Sequence, residues 1–597
     1  MGEHRQHEAR IHAGIDRGNA VPAGRSGSSC ERRASAGITR RALTAGIFAA
    51  GGAALLSACG LGELARVGSA PASNSAASGA SSTTLRYSID APVAIDPAGV
   101  ADAAGAQVAF QLFDPLTAYD FELGKLTSRA AERYEVDESC TLFTFYLRQA
   151  TFHDGSPVTS RDFKRAWERI VNPKSAAAQL LGPSPAAYLL SLVKGYDELL
   201  AGASSELAGV SCPNDATLQV TLSQPYADFA YLVAHPALGP VPAAAEQDAR
   251  AYAAAPVGNG AFKMDGSFTE GGDIDLARND AYWGGAPNVE RVRFVARENV
   301  SAAYKEFQAD NLDVAAVPTS QADAARRETG EAKDGRTLTP DTRLLMGAEL
   351  YTYFIVLNTS EPPLDDVDVR RALSLAIDRE GMCQALFKGM RLPADGIVPP
   401  GTAGYEQGSW RYATYDLDAA KALLDIGHPA KQGGSRDLTV TLTYNDQGPH
   451  KKIMERLEAD IEKLGITVEL ETASWTELED RLAAGDFDAA RSGWTPDAPT
   501  LDSVLYPLFF TGSAHNASGF SDSDVDGDIT QARATRDGVD RLARLKAVNR
   551  SVGDEVPVIP LMFGTLGLEG SDRMQSLYVD PQGRAHLAEA ELQGQEK

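Results

Sequence analysis

The stretch WTELEDRLAAGDFDAARSGWTPDAPTLDSVL, residues 475–505, holds two tryptophans, an arginine three residues before the second of them and an aspartate three residues after it. A carboxylate beside aromatic walls suits an ammonium group, which finds a counter-charge and a ring face in one place. FDAARSGW reads as a strand, and TPDAPT then turns through two prolines, so Asp497 is expected on a loop at a strand end. Open α/β sheets place ligands there. Aspartate also closes turns and caps helices, so the tract alone leaves Asp497 open between an ammonium receptor and a turn former.

Covalent chemistry finds less support. The chain has no His-Glu-x-x-His, no Gly-x-Ser-x-Gly, no Gly-x-x-x-x-Gly-Lys-Ser/Thr and no Cys-x-x-Cys, and its nine histidines are scattered without ligand spacing. His153-Asp154 lies in FHDGSPVT and reads as a turn before a helix. The acidic run SDSDVDGD (521–528) lacks a full calcium-loop pattern and reads as solvated surface. The expectation is binding without reaction, with no metal or cofactor.

Elements able to hold such residues are visible along the chain. DLTVTLTYN (437–445) and ITVELETAS (466–474) alternate as strands on either side of HKKIMERLEADIEKLG (450–465), whose Ile453, Leu457 and Ile461 mark one helical face. Gly465 is a good C-terminal stop. A strand, helix and strand of this length form a βαβ unit with parallel strands. DVDVRRALSLAIDREGMCQALF (366–387) reads as an amphipathic helix through Val369, Ala372, Leu373, Ala376 and Ile377, with Cys383 in its core-facing interior. The tract from NGAFKM to DIDLARN (259–279) reads as a hairpin. More than 500 residues of such pattern, from about Thr84 onward, require more than one core.

The N-terminal region is of another kind. Ala42 to Leu56 carries no charge and follows Arg40-Arg41, the layout of a secretory signal, too short to span a bilayer comfortably. Leu56-Ser57-Ala58-Cys59 resembles a bacterial lipobox, in which small residues admit the peptidase and the thiol takes up diacylglycerol. Residues 1–58 are therefore expected to be a signal peptide of lipoprotein type, and the Ser/Ala/Gly-rich 59–83 a flexible tether. The net charge is −25, and removing a leader with eight arginines and four acidic residues leaves about −29. Nucleic acid and anionic membrane surfaces would be repelled, so neither is expected as a partner.

Cysteines are sparse. Cys30 lies in the leader and Cys59 would be lipidated, which leaves Cys140, Cys212 and Cys383. Cys140 and Cys212 each precede a strand-like run, TLFTFYLR and TLQVTLS. Neighbouring strands would permit a disulfide between them; buried free thiols are the other reading.

Distinctive blocks run almost end to end, among them LFTFYLRQATFHDGSPVTSRDFKRAWERIVNP (142–173), HPALGPVP (235–242), ARNDAYWGG (277–285), FIVLNTSEPPLDDVDVRRALSLAIDRE (354–380) and YNDQGPHKKI (444–453). With these the chain, over about residues 84–590, resembles the family 5 extracellular solute-binding proteins of ABC importers, and within them the oligopeptide-binding branch. The resemblance implies an α/β, two-lobed periplasmic-binding-protein-like fold of type II, with mixed sheets and an extra third domain. Lobe I is expected from 84–112, 244–350 and 561–597, the extra domain from 113–243, and lobe II from 351–560. It further implies that Asp497 receives a peptide's amino terminus, that Trp494 and Trp475 are pocket walls, that Arg491 and His450 are groups able to meet the peptide carboxylate, depending on ligand length, and that Asn445 and Asn516 are polar pocket positions. A monomer on the extracytoplasmic face of the cell membrane is expected, held by lipid alone and serving ABC permease subunits.

Departures from the family pattern bear on preference. The positions of a disulfide frequent in the oligopeptide branch read Tyr351 and Thr495, a Tyr-Asn pair reads Ala316-Val317, and the arginine seven residues after the first Trp is Leu482, with Arg481 beside it. Aromatics of the last pocket strand read Leu561-Met562-Phe563. Another family 5 ligand, such as a nickel chelate, haem or an oligosaccharide, and a peptide-sensing lipoprotein without transport role are the alternative readings. Cys59→Ala is expected to release the protein into the medium, because the acylated thiol would be its only membrane hold. A variant that stays with the membrane after a salt wash contradicts this.

Overall fold

The computed structural model describes residues 83–594, so the leader, Cys59 and the tether lie outside the described residues. Among these no helix is long and apolar enough to cross a membrane.

A seven-stranded mixed sheet is ordered Leu344–Leu345, Leu568–Gly570, Val314–Ala316, Thr84–Ile89, Arg291–Ala296, Ile274–Arg278, Phe262–Met264. Thr84–Ile89 runs parallel to both neighbours, and the outer pairs are antiparallel, the expected 259–279 hairpin among them. A six-stranded sheet is ordered Leu392–Pro393, Val558–Thr565, Ala348–Leu357, Ala489–Trp494, Thr439–Asn445, Thr467–Ala473. Thr439–Asn445 and Thr467–Ala473 are parallel in register Thr439↔Thr467, joined by the helix His450–Ile461 as the βαβ pattern requires. Gly465 then adopts φ +80°, and a Cβ there would stand 2.0 Å from the carbonyl oxygen of Gly434. Residues 113–243 hold a four-stranded antiparallel sheet, Ala131–Val136, Leu142–Leu147, Thr217–Thr221 and Val210–Asn214, and the hairpin Thr117–Asp120 with Lys125–Ser128.

The cores follow the sheets. One continuous core joins Leu85 and Phe294 of the seven-stranded sheet to Phe143, Trp167 and Phe229 of the 113–243 segment. The six-stranded sheet is covered on both faces: Ile355, Leu442 and Leu457 belong to one core, Phe354, Val356 and Val504 to another, as strand alternation dictates. Among the described residues, the chain passes between the two large sheets only at 345–348 and 565–568.

Two sequence expectations change. The 366–387 helix is two, Val367–Ala376 and Arg379–Phe387, because Asp378 caps the second through Gly381 N at 2.9 Å. Arg379 is buried at the break, donating to Pro560 O at 2.6 Å and Ser374 O at 3.0 Å. The Cys140–Cys212 disulfide is also ruled out, since both thiols are free. Leu142–Leu147 and Thr217–Thr221 are neighbours, but antiparallel pairing Leu142↔Thr221 sends Cys140 past one end. Cys212 lies on the next strand beyond Ser211↔Gln219, roughly 15 Å away along the strands at about 3.4 Å per residue. That distance exceeds disulfide reach.

Buried ion pairs tie distant segments together. Arg169, on the helix Ser160–Val171, forks onto Asp96 with both contacts at 2.6 Å, the two side chains 1% and 0% exposed. Burial penalises the Arg169 guanidinium, and the hydrogen bonds and charge of Asp96 overcome that penalty, holding it charged. Asp313 receives Arg86 at 2.8 Å and Arg573 at 3.0 Å. Asp96→Ala is expected to cost about 3–5 kcal/mol in chemical unfolding, because it leaves a buried guanidinium with only the partly exposed Glu246, 3.2 Å from its Nε, as counter-charge. The double variant with Arg169→Leu should recover part of the loss, and a single-variant loss below about 1 kcal/mol would overturn this account.

Candidate functional site

The site grows from the strand Ala489–Trp494, held between Ala348–Leu357 and Thr439–Asn445 with Ile355↔Arg491 and Thr352↔Trp494 in register. Thr495-Pro496 ends it, and the chain turns through Asp497 into the helix Asp502–Phe509. The Trp494 indole donates to Ser503 O at 2.8 Å, which pins its ring over the turn, 5.1 Å from the His515 ring. Asp497 is half-buried, and Tyr188 donates its hydroxyl to Asp497 Oδ1 at 2.5 Å.

Asp497 opens on a cavity of about 350 Å³ whose walls include Trp494, Tyr188, Tyr226, Tyr506 and Arg533. The Arg533 guanidinium lies 3.9 Å from the Tyr506 ring centre and 4.6 Å from that of Tyr226, with Asp502 at 3.4 Å. Burial pushes the Asp502 carboxyl up to about 6; Arg533 opposes the shift and Asp228 adds to it. Asp228 in turn meets Arg541 at 3.0 Å, and Ala227 N donates to Arg533 O at 2.8 Å. Two carboxyls and two guanidiniums thus join the 113–243 segment to the helices beyond Asp497.

A second cavity, about 170 Å³, shares Trp494, Ala514 and His515 with the first. Its lining includes Trp475, Arg491, Tyr351 and Glu479. The buried Arg491 guanidinium sits 5.1 Å from the Trp475 ring and 5.5 Å from the Tyr353 ring. Asp497 and Arg491 therefore line different chambers, which share Trp494, Ala514 and His515.

The other expected site residues are placed differently. His450 is 1% exposed, bonded through Nδ1 to the Tyr353 hydroxyl at 2.9 Å and stacked on that ring, and lines neither chamber. Burial, then the Arg491 charge, pushes its imidazole down to about 3, so it is neutral and supplies no counter-charge. Asn445 is buried at the end of its strand, outside both chambers. Asn516 donates to Phe510 O at 3.2 Å and Phe520 O at 2.8 Å and accepts from Ser518, which ties up its amide in the loop that presents His515. Leu482 lines the second chamber, while Arg481 turns outward to Glu471 at 2.6 Å.

Residues outside these chambers have structural roles. His153 accepts from Gly258 N at 3.1 Å and holds the turn, and burial pushes it down to about 4. Asp522 caps the helix Ser523–Arg533, and among the described residues no cluster of metal ligands is found. Sequence reasoning missed Tyr188, Tyr226, Tyr506 and Arg533, because none lies in a motif and Tyr188 stands 309 positions from its partner. Glu479 carried a signal: a carboxylate four residues after Trp475 on a helix.

The fold and its paired chambers define a two-lobed, mixed-sheet binding protein of the periplasmic type with a third domain. Over residues 125–516 the chain matches the model of the bacterial extracellular solute-binding proteins, family 5, and it belongs to that family. The oligopeptide-binding protein OppA of Bacillus subtilis is 29% identical over 525 residues, 86% of this chain and 92% of its own. A probable deoxycholate-binding periplasmic protein of Escherichia coli, YgiS, is 30% identical over 493 residues, 80% of this chain and 86% of its own. Among solved structures, the unliganded open form of the periplasmic murein tripeptide binding protein MppA superposes with a TM-score of 0.73 at 26% identity, covering 85% of this chain and 97% of its own.

The burial of His450 makes a testable statement. Its folded affinity for protons is depressed below the ordinary value, so folding excludes a proton that the unfolded chain binds, and its contribution to stability is lost as pH falls from about 6.5 toward 3. NMR of labelled imidazoles should show His450 neutral throughout pH 5–8. A His450 titration near 6.5 would mean that the ring is solvated.

Proposed function

We propose that this protein captures peptides outside the cytoplasm by their free amino terminus and delivers them to the membrane subunits of an ABC importer, tethered through a lipidated Cys59. The observation that carries the reading is Asp497, a half-buried carboxylate at the mouth of an aromatic chamber with the Tyr188 hydroxyl on one oxygen. An ammonium entering there meets a negative charge beside Trp494, while Arg533 already covers the Tyr226 and Tyr506 rings. Arg491, in the adjoining chamber, suits a carboxylate or carbonyl further along the ligand. Binding that favours a closed arrangement of the lobes would give the permease a state to recognise, with no chemical step.

Relatives named for oligopeptides and for murein tripeptide support this ligand class. A nickel chelate, haem, an oligosaccharide or a bile-acid anion has no ammonium for Asp497 to meet. A sensing lipoprotein would share the whole site, and permease genes beside this one separate transport from sensing.

The test is a cycle in protein and ligand, read by calorimetry with melts to check folding. Asp497→Ala should cost a free tripeptide about 3 kcal/mol or more, roughly two decades of affinity, since it leaves a buried ammonium unpaired. The same peptide acetylated at its amino terminus should bind the wild type poorly and lose little more in the variant. Equal binding of free and acetylated peptide, or tighter binding of deoxycholate than of any peptide, overturns the reading.

A further inference from the structure

We infer that Glu479 makes the smaller chamber selective for a ligand side chain with a positive charge on an apolar stem, of the lysine or arginine kind. This rests on the peptide reading above and adds which side chain the second chamber takes.

Glu479 belongs to the helix Trp475–Ala484, and Trp475, Glu479, Leu482 and Ala483 from that helix line the chamber. Their spacing of four, seven and eight residues from Trp475 puts them on one helical face. On that face Glu479 is the single charge, while Glu477 and Asp480 are exposed and Arg481 is engaged by Glu471 and Glu477 outside. Glu479 is half-buried, and its Oε1 is shut off from solvent without a hydrogen-bond partner among the described residues. Burial pushes the carboxyl up, Asp480 adds to this, and the Trp475 indole acts against it.

A carboxylate oxygen kept dry and unmatched is costly, and a donor entering the chamber removes the cost. Rotation about the last side-chain bond of a glutamate is soft, so either oxygen can be presented to the chamber. Arg491 does not already serve as that donor: its guanidinium rests by Trp475 and Tyr353, and the charge acting on Glu479 is that of Asp480. Phe354, Leu482, Trp475 and Trp494 supply apolar walls for an aliphatic stem. The position at which the family resemblance expects an arginine is Leu482, so this wall offers a negative charge and no second positive one. A chain of net charge −25 also draws cations toward its clefts.

The experiment measures calorimetric affinities for Ala-Lys-Ala, Ala-Met-Ala and Ala-Glu-Ala and for the set with the variable residue third. At one position wild type should favour lysine over methionine by about tenfold or more, and Glu479→Gln should bring that ratio within about twofold while leaving the methionine peptide unchanged. Glu479→Lys should turn the preference toward the glutamate peptide. Melting curves of both variants establish that they fold. Equal lysine and methionine affinities in wild type, or a lysine preference that survives in Glu479→Gln, overturn the inference while peptide binding stands. Failure of all six peptides to bind wild type overturns the peptide reading and this inference with it.

Discussion

The antiparallel pairing of Ala348–Leu357 with Val558–Thr565 is the constraint on which the rest of the molecule depends. Every residue of the second strand is buried, and all but Glu349 of the first. Each continues directly into the seven-stranded sheet, at Leu344–Leu345 on one side and Leu568–Gly570 on the other. The two covalent crossings between the sheets thus leave from adjacent strands. Gly564 eases the packing of the strands, since a Cβ there would stand 3.3 Å from the Cβ atoms of both Glu349 and Tyr351, and Gly567 supplies the φ of +57° at the crossing.

The chambers inherit their positions from this pair. Ala489–Trp494 hydrogen-bonds to the other edge of Ala348–Leu357, so Arg491 and Trp494 are positioned by a strand that also belongs to that pair. Asp497 follows immediately after that strand ends, and the 113–243 segment brings Tyr188 to it. The larger chamber is thereby lined both from the 113–243 segment, by Tyr188 and Tyr226, and from beyond residue 490, by Trp494, Asp497 and Arg533.

Charge is handled in two ways. In the framework, buried carboxylates are fully engaged by guanidiniums, Asp96 by the buried Arg169 and Asp313 by the partly exposed Arg86 and Arg573, which suits permanent contacts between segments far apart in the chain. Around the chambers, groups are buried with less than a full set of partners: Asp502 is pushed up to about 6 beside Arg533, and Glu479 keeps one oxygen dry. Such residual demand for a partner is what binding sites retain and cores avoid.

The amino-acid sequence by itself determined the local elements and the family. Period-two alternation at 437–445 and 466–474 around a helical face gave a parallel βαβ unit, and two prolines put Asp497 on a loop, because these features depend on neighbours within a few residues. The break at Asp378 was missed because a capping aspartate within an apolar repeat looks like an ordinary polar position until the backbone turns. Tertiary structure alone decided that Cys140 falls past the end of its strand and Cys212 lies two strands away, too far apart to bond, that His450 is dry and neutral, and that Asn516 serves its own loop. It alone brought Tyr188, Tyr226, Tyr506 and Arg533 around Asp497. Pairing register, desolvation and long-range contact are properties of the assembled chain, and no local pattern of residue types encodes them.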